Sequence, residues 1–436
     1  MASSRFELLC IVLLGVGQMC IMTGYDTQSF ILESVIHSVN ERYPGLISKY
    51  AGYYGQAVCW GTYMIATIFT PSLLNYLSPK MTLFLGSLCY TLFQIGFFFL
   101  NSYYYYITSA LMGVGMLLGG GILALVFALT SASGSNHGIY LNDTLNFNST
   151  IPFTEEKERS FSDKEILLMY AAFAAVTIFA NITFLVMPSK EVDNCIEGRN
   201  KNKTTFIEQM HRMYSAFSSR KTMLLSAVFV NLGLWTSFWL SVYPTTLTFN
   251  INLSEKIYLP AIYSVGVGTG EIIMGFFIAS MSKRKKDFGL QPTMTIGCSL
   301  ACLTILLITV STPVDSPMRP TAQLPLLFQP NRIIVFLIAL MIGLADSALN
   351  NVRTVICAIV MPDRRAQTFS ISKFYQALGG SVLLFLSSKM TIYHYTCILL
   401  VSSILATVTF FHVAKKTQKM ERKFTVEQLN RNRVPL

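Results

Sequence analysis

The sequence predicts an all-α polytopic membrane protein with two helical bundles, and composition is the first reason. Of the 436 residues, 52% are hydrophobic and only 13% are charged, whereas soluble domains carry about 25% charged residues. A mean hydropathy of +0.50 points the same way. The 13% aromatic content excludes a disordered chain. At roughly 20 residues per span plus loops, this length allows about ten to twelve transmembrane helices.

Apolar runs are the second reason. We expect each of eleven runs to form one transmembrane helix. The first run is long and carries polar residues, so it is expected to be retained rather than cleaved as a signal peptide. The runs fall near residues 7–30, 50–77, 80–100, 103–131, 165–187, 222–243, 257–281, 292–311, 332–360, 367–388 and 391–414.

Segregated basic residues are the third reason. Four segments hold 20 of the 33 Lys and Arg residues: 188–221, Lys283–Lys286, Arg364–Arg365 and the tail after residue 414. Cytosolic loops of membrane proteins are enriched in these residues, which predicts a cytosolic C-terminus. Orientation and attraction to anionic lipid explain the net charge of +11, so nucleic acid is not an expected partner.

Glycosylation sequons mark the opposite face. Asn142 and Asn148 lie in the acid-containing loop 132–164, and Asn252 lies in the short loop 244–256. All three fall on the non-cytosolic side of the topology that the basic segments predict. We therefore expect them to be glycosylated.

The layout of the chain predicts two bundles around a linker. Residues 1–187 form an N-terminal bundle with five spans and the outer loop 132–164. Residues 188–221 are a cytosolic linker, 222–414 a six-helix C-terminal bundle, and 415–436 a basic cytosolic tail. Two halves around a cytosolic linker are typical of transporters built from repeated bundles.

The run at 103–131 disturbs this topology. Weak basic signals place the N-terminus inside, yet four spans before the outer loop place it outside. At 29 residues the run is long for one helix and too short for two, which need about 40. It also contains five glycines between Gly113 and Gly121. Our hypothesis is that it joins pieces of two helices and that the segment between them is missing.

Three of the ionisable residues inside predicted spans are notable: Glu271, Asp346 and Lys373. Each costs about 2.5–3.5 kcal/mol on insertion scales, so each needs a physical reason. Their spacing along the helices places them at similar depth, which allows contact between neighbouring helices. One acid is left without a basic partner and is a candidate proton carrier. The alternative is a buried salt bridge with a hydrogen-bonded acid, which locks the cytosolic gate.

Other polar residues mark a candidate cavity. Tyr25 and Asp26 form a polar patch that we expect near the outer mouth, and Gln56 lies in the second span. Asn350 is four residues after Asp346 and shares its helix face.

Three large residues near the ends of spans have two interpretations each. Arg353 lies seven residues after Asp346 on the same helix face, but it is close to the inner boundary and is expected to extend to the lipid head groups. Trp235 and Trp239 are spaced by four residues; we favour an interfacial belt over a substrate wall.

Motifs of other classes are missing from the sequence. It has no GxxxxGK[ST] motif for ATP, no TVGYG filter and no Cys/His cluster with metal-ligand spacing. The nine cysteines are expected to be core residues. We predict neither an enzyme nor a bound cofactor or metal.

Five segments resemble the UNC-ninety-three-like branch of the major facilitator superfamily. Gly266–Gly275 resembles its eighth helix, Gly343–Ser347 with Asn350 its tenth and Phe369–Gln376 its eleventh. Residues 14–36 resemble its first helix and residues 78–90 the region after its second. The nearest subgroup is the major facilitator superfamily domain-containing protein eleven type.

The resemblance also shows a departure. Ile107–Gly115 is similar to the start of the family's fourth helix, and Met116–Ser131 is similar to the end of its fifth. The segment between them is missing, which agrees with the topology defect. The charged loop after the second helix is reduced to little more than Lys80.

The resemblance implies two functions. The first is transport of a small solute, with Glu271 and Asp346 as coupling acids and Lys373 as their partner. The alternative is an accessory subunit that regulates a potassium channel or the trafficking of a membrane receptor. The plasma membrane and endolysosomal membranes are the expected locations.

Overall fold

The protein is helical, as the sequence predicts. The computed structural model describes residues 2–73, 79–130, 161–188, 206–254, 258–284, 290–361 and 364–431. Nine helices among the described residues are long and apolar enough to cross a membrane. The predicted apolar runs overlap successive long helices among the described residues, which confirms an all-α polytopic membrane protein.

The N-terminal half contains five long helices. They are α1 (Ala2–Arg42), α2 (Ala51–Leu73), α3 (Pro79–Ile95), α4 (Ser102–Thr130) and α5 (Asp163–Val186). The linker contributes α6 (Phe206–Phe217), a short amphipathic helix.

The C-terminal half contains six spans. The first is α7 (Arg220–Ser237), which continues through a π-helical turn (Phe238–Val242) into α8 (Tyr243–Phe249), with α9 (Ile251–Ser254) after it. The others are α10 (Leu259–Arg284), α11 (Leu290–Ser311), α12 (Arg332–Val360), α13 (Arg365–Leu386) and α14 (Ile392–Arg431).

Local sequence signals begin several of these helices. Ser162 and Glu165 form a capping box at the start of α5, each side chain accepting a hydrogen bond from the other residue's backbone N–H. Asn331 caps α12 by accepting the backbone N–H of Ile334 at 2.9 Å. Pro79, whose missing N–H is not needed in a first turn, begins α3.

The two ends of the bundle are defined by their contacts. At one end, which we call the Arg42 end, Arg42 pairs with Asp163 at 2.7 Å and Ser102 donates to the carbonyl of Leu46 at 2.8 Å. At the opposite end, which we call the Lys80 end, the α6 residue Ser215 accepts a hydrogen bond from Arg364 at 2.6 Å. The predicted cytosolic side corresponds to the Lys80 end.

Helix direction departs from alternation once. Both α4 and α5 begin at the Arg42 end, because Ser102 contacts Leu46 and Asp163 contacts Arg42. Alternation holds for the other consecutive spans. The described helices therefore lack one crossing between α4 and α5, at the place where the charge pattern predicts a defect. Residues 102–130 form one continuous helix.

Helix packing follows a repeat with one missing member. In the N-terminal half α5 packs on α1 and α3, as α14 packs on α7 and α11 in the other half. In the same way α4 packs on α2 and α3, as α12 packs on α10 and α11. By this correspondence α4 takes the fourth position and α5 the sixth. Among the described helices, none takes the fifth position, which α13 fills in the C-terminal half.

Glycines allow the closest helix contacts in the C-terminal half. A side chain at Gly270 of α10 would collide with the carbonyl of Leu340, and one at Gly343 of α12 with the carbonyl of Val267. Backbone contact of this kind is typical of membrane bundles, in which packing rather than hydrophobicity drives association.

Hydrogen bonds join the two halves towards the Arg42 end. The hydroxyls of Ser34 and Thr248 share a hydrogen bond, and Tyr53 donates to the carbonyl of Pro317 at 2.8 Å. The hydroxyl of Tyr54 donates to the hydroxyl oxygen of Ser388 at 3.0 Å. The structure is therefore closed at this end.

Oxidative cross-linking tests this closed end. We expect the Ser34→Cys, Thr248→Cys pair to form a disulfide in native membranes, because the two hydroxyls share a hydrogen bond across the halves. Mobility on a non-reducing gel, with and without a mild oxidant, is the measurement. Ser34→Cys with Thr407→Cys on α14 is the control and should remain uncross-linked. Equal yields for the two pairs would contradict the packing.

Candidate functional site

Asp346 is the buried acid at the centre of the fold. It lies on α12 with 6% of its surface exposed. Its Oδ1 accepts the indole N–H of Trp239 at 2.9 Å, and its Oδ2 accepts the amide N–H of Asn350 at 2.7 Å. The predicted Asp346–Asn350 face is thus a hydrogen-bonded pair. These donors stabilise a carboxylate that would otherwise be costly to bury.

The π-helical turn after α7 supplies Trp239. Tyr263 of α10 donates to the backbone carbonyl of Trp239 at 2.5 Å. Ser241 from the same turn donates to Oε1 of Gln56 on α2. Single π-helical turns are rare and occur often at functional sites. This turn brings residues of α2, α10 and α12 together.

Two bases lie beside the acid, and a glutamine holds both. Arg353 donates to Oε1 of Gln376 at 2.7 Å, and Lys373 donates to the same oxygen at 3.2 Å. Both bases act electrostatically on Asp346. Lys373 does not form the expected direct ion pair: within the described ranges, no acid lies within 4 Å of its ammonium. Gln376 is the hydrogen-bond acceptor of Lys373 in place of an acid, because it lies one turn after Lys373 on α13.

Arg353 differs from its prediction. Only 9% of its surface is exposed, and it does not extend to the lipid head groups. It lies seven residues after Asp346 on the inward face of α12, where Gln376 is its acceptor. The spacing of two helical turns from Asp346 was the signal that sequence reasoning undervalued.

Two further acids complete the charged cluster. Glu271 of α10 interacts electrostatically with Asp346 and with Asp26 of α1. Its backbone carbonyl accepts a hydrogen bond from Ser347 at 3.2 Å. The cluster, defined as Asp26, Glu271, Asp346, Arg353 and Lys373, thus holds three acids and two bases. The cluster has one more acid than base. The same excess was predicted from the sequence for the three residues Glu271, Asp346 and Lys373.

Asp26 lies deeper than predicted. The expected span ended at residue 30, which put Asp26 near the outer mouth. In the structure α1 continues to Arg42, so Asp26 lies 16 residues, or about 24 Å, from the Arg42 end. The polar residues Glu33 and Ser34 of this extension are buried rather than solvated. Asp26 is therefore part of the central cluster.

The other predicted cavity residues are in the core. Tyr25 is buried and packs edge to face on Tyr90, with ring centres 5.7 Å apart. Gln56 is buried beside Ser241. Trp235 and Trp239 are 1% and 5% exposed. The preferred interpretation of these tryptophans as an interfacial belt is therefore wrong, because both face the interior.

Other sequence-based expectations are untested or limited in scope. Asn142 and Asn148 lie outside the described residues, and Asn252 is in α9; their glycosylation remains a prediction. In the part of the chain that the structure describes, no group of three or more His, Cys, Asp or Glu residues is arranged to hold a metal ion.

Solved structures with the same fold are major facilitator transporters. The nucleoside transporter NupG matches with a TM-score of 0.54 at 13% identity, covering 92% of this chain and 98% of that one. The proton:xylose symporter XylE matches with a TM-score of 0.54 at 14% identity, covering 94% and 96%. At these identities the similarity shows the fold alone.

Two relatives found by sequence have a higher sequence identity to this chain than these two structures do. The UNC93-like protein MFSD11 of Xenopus tropicalis is 23% identical over 441 positions, covering 95% of this chain and 97% of that protein. The Xenopus laevis protein of the same name is also 23% identical, over 438 positions. The alignment has 441 positions, but 95% of this chain is only about 414 residues. About 27 positions of the alignment therefore fall in gaps of this chain.

A family model also matches. Residues 43–411 fit the model described as "Ion channel regulatory protein UNC-93", which covers more than four fifths of the chain. This range includes four of the five charged residues of the cluster. With a major facilitator fold and this match, the chain belongs to the UNC-93 family.

Proposed function

We propose that this protein transports a small solute by alternating access between its two halves. The observation that carries the proposal is the charged cluster, because it lies where the halves meet. Asp26 comes from α1, and the other four members come from α10, α12 and α13. Charges at membrane depth are costly and mark transport pathways in other membrane proteins.

The cluster supports coupling to a cation, and a proton is the simplest one. Three acids and two bases leave one negative charge without a partner when all five groups are ionised. A low-dielectric interior penalises such a charge. A proton or a cationic solute group removes the penalty. Glu271 is the best placed carrier, since its side chain is partly exposed while Asp346 is held by Trp239 and Asn350.

The central polar groups supply a binding surface. Trp239, Gln56 and Asn350 are hydrogen-bonded to Asp346 and Ser241 in this closed structure, and a change of conformation would free these donors and acceptors for a solute. Their chemistry suits a polar, uncharged or cationic solute. Nucleosides and pentoses, the solute classes of the two structural neighbours, are a reasonable first panel.

A second function is an accessory role without transport. The description of the matching family model as an ion channel regulatory protein favours it. In this case the cluster is a structural lock between the halves, and the chain acts on a channel or receptor through contact. The following experiment separates the two functions.

Neutralising the acids tests transport. We expect Asp346→Asn and Glu271→Gln to lower pH-gradient-driven uptake at least tenfold in proteoliposomes, because the cluster then carries no unpaired acid. Uptake of a labelled nucleoside mixture and of xylose is measured with and without the gradient. Glu208→Gln on the exposed surface of α6 is the matched control and should transport normally. Wild-type protein that moves no solute across any gradient would favour the accessory role.

Removing the shared acceptor tests the architecture of the cluster. Gln376→Leu leaves Arg353 and Lys373 without their oxygen, and such buried losses cost about 1–3 kcal/mol or more. We expect a clearly lower thermal unfolding midpoint in detergent for Gln376→Leu. Gln323→Leu, in an exposed loop, is the control. Equal midpoints for both variants would show that Gln376 does not hold the bases.

A further inference from the structure

The fifth position of the N-terminal repeat is taken by none of the described helices, whereas α13 fills the corresponding position in the C-terminal half. In the C-terminal half α13 packs on α7, and it also packs across the interface on α2. The repeat therefore requires a helix that packs on α1 and α10. Among the described helices of the N-terminal half, only α1 makes more than slight contact with α10. The surface that such a helix would cover is defined here as the α1–α10 face.

Residues of this face are exposed at regular helical spacing. On α1, Met19 is exposed to 69%, and Thr23 and Asp26 follow at spacings of four and three. On α10, Gly268, Glu271 and Gly275 form a second row at the same spacings. A Cβ added at either glycine would meet no atom within 4 Å. The α10 row is therefore free of side-chain bulk on both sides of Glu271, and each of the two helices carries one acid.

The two acids point to the chemistry of an occupant. Asp26 and Glu271 are both partly exposed, and they interact with each other electrostatically. Lipid chains offer neither charge nor hydrogen bonds to such a pair. An occupant that brings a positive charge to this depth would remove the repulsion between them. Charge complementarity therefore favours a basic partner.

Two other candidate occupants, a second copy of this chain and its residues 131–160, do not supply the required positive charge. A second copy docked through the same face would place Asp26 and Glu271 against their own equivalents, because symmetric dimers use one patch on both subunits. Residues 131–160 carry six charged residues, four of them acidic. That composition does not suit a transmembrane helix, and its charge has the wrong sign.

In the C-terminal half, α13 occupies the equivalent position and shows which kind of helix packs there. There α13, a helix of 22 residues, carries the half-buried base Lys373 near its middle. Its Gly379 lies against the carbonyl of Val230 on α7, so the two backbones approach closely. A helix with one mid-span base and small residues is thus the shape and charge that this architecture accepts.

We propose that the α1–α10 face binds a single transmembrane helix of a partner protein, with a Lys or Arg opposite Asp26 and Glu271. The helix completes the repeat at its fifth position and gives the acids a base. The proposal goes beyond solute transport and does not depend on it.

Cross-linking to designed single-span helices tests the proposal. The probe is a Leu/Ala helix with a central Lys and one Cys a turn away; a matched probe has Leu in place of Lys. Each is co-expressed with full-length protein that carries Ile272→Cys beside Glu271. We expect at least tenfold more disulfide with the Lys probe than with the Leu probe. Val408→Cys on α14, similarly exposed at 63% against 61%, is the control and should show no preference.

Charge variants decide the origin of any preference. Asp26→Asn with Glu271→Gln should abolish the preference for the Lys probe. Glu271→Lys with Asp26→Asn should transfer it to a probe with a central Glu, a result that a misfolded protein does not give. Equal cross-linking of the Lys and Leu probes overturns the proposal, and so does a homodimer joined through Cys at position 272. Flux lost in the acid variants without any probe preference leaves transport standing and overturns this docking site alone.

Discussion

The structure depends on how one buried carboxylate, Asp346, is held at the junction of the two halves. Trp239 and Asn350 donate to its two oxygens, and Arg353 and Lys373 act on it electrostatically. Burying an acid with these partners requires the π-helical turn that brings Trp239 inward, the Gly270–Gly343 contact that brings α10 against α12, and the Gln376 oxygen that separates the two bases. The arrangement converts an insertion penalty into a specific junction between helices.

Much of the fold follows from patterns that the sequence displays openly. Long apolar runs and segregated basic residues are local signals, and they predicted the helices, the two halves and the crossing that is missing between α4 and α5. The ionisable residues of the cluster were also recognisable, because a charge inside an apolar run is unusual wherever it occurs. Glu271, Asp346 and Lys373 are indeed on three helices that pack around one region.

Most of the wrong predictions concern contacts between helices, and one concerns the length of a helix. The spacing of Trp239 and Arg353 gives a face on their own helices, but it does not tell which neighbour covers that face. Gln376 was not predicted as a site residue, because its role appears only when α12 and α13 lie side by side. The extent of α1 was underestimated because the apolar run ends near residue 30. Glu33 lies beyond that end, and its carboxylate accepts the backbone N–H of Tyr53 at 2.9 Å, at the beginning of α2.

The central claim is that the halves move about this junction, closing one end as the other opens. Pulsed electron resonance measures it directly, with spin labels at Ser48 and Arg319 for the Arg42 end and at Lys80 and Arg284 for the Lys80 end. Across a pH series in lipid nanodiscs, the account predicts that one distance lengthens while the other shortens, and that Asp346→Asn abolishes the shift. Two distances that stay constant at every pH, with and without the solute panel, would contradict alternating access and leave the junction as a static lock.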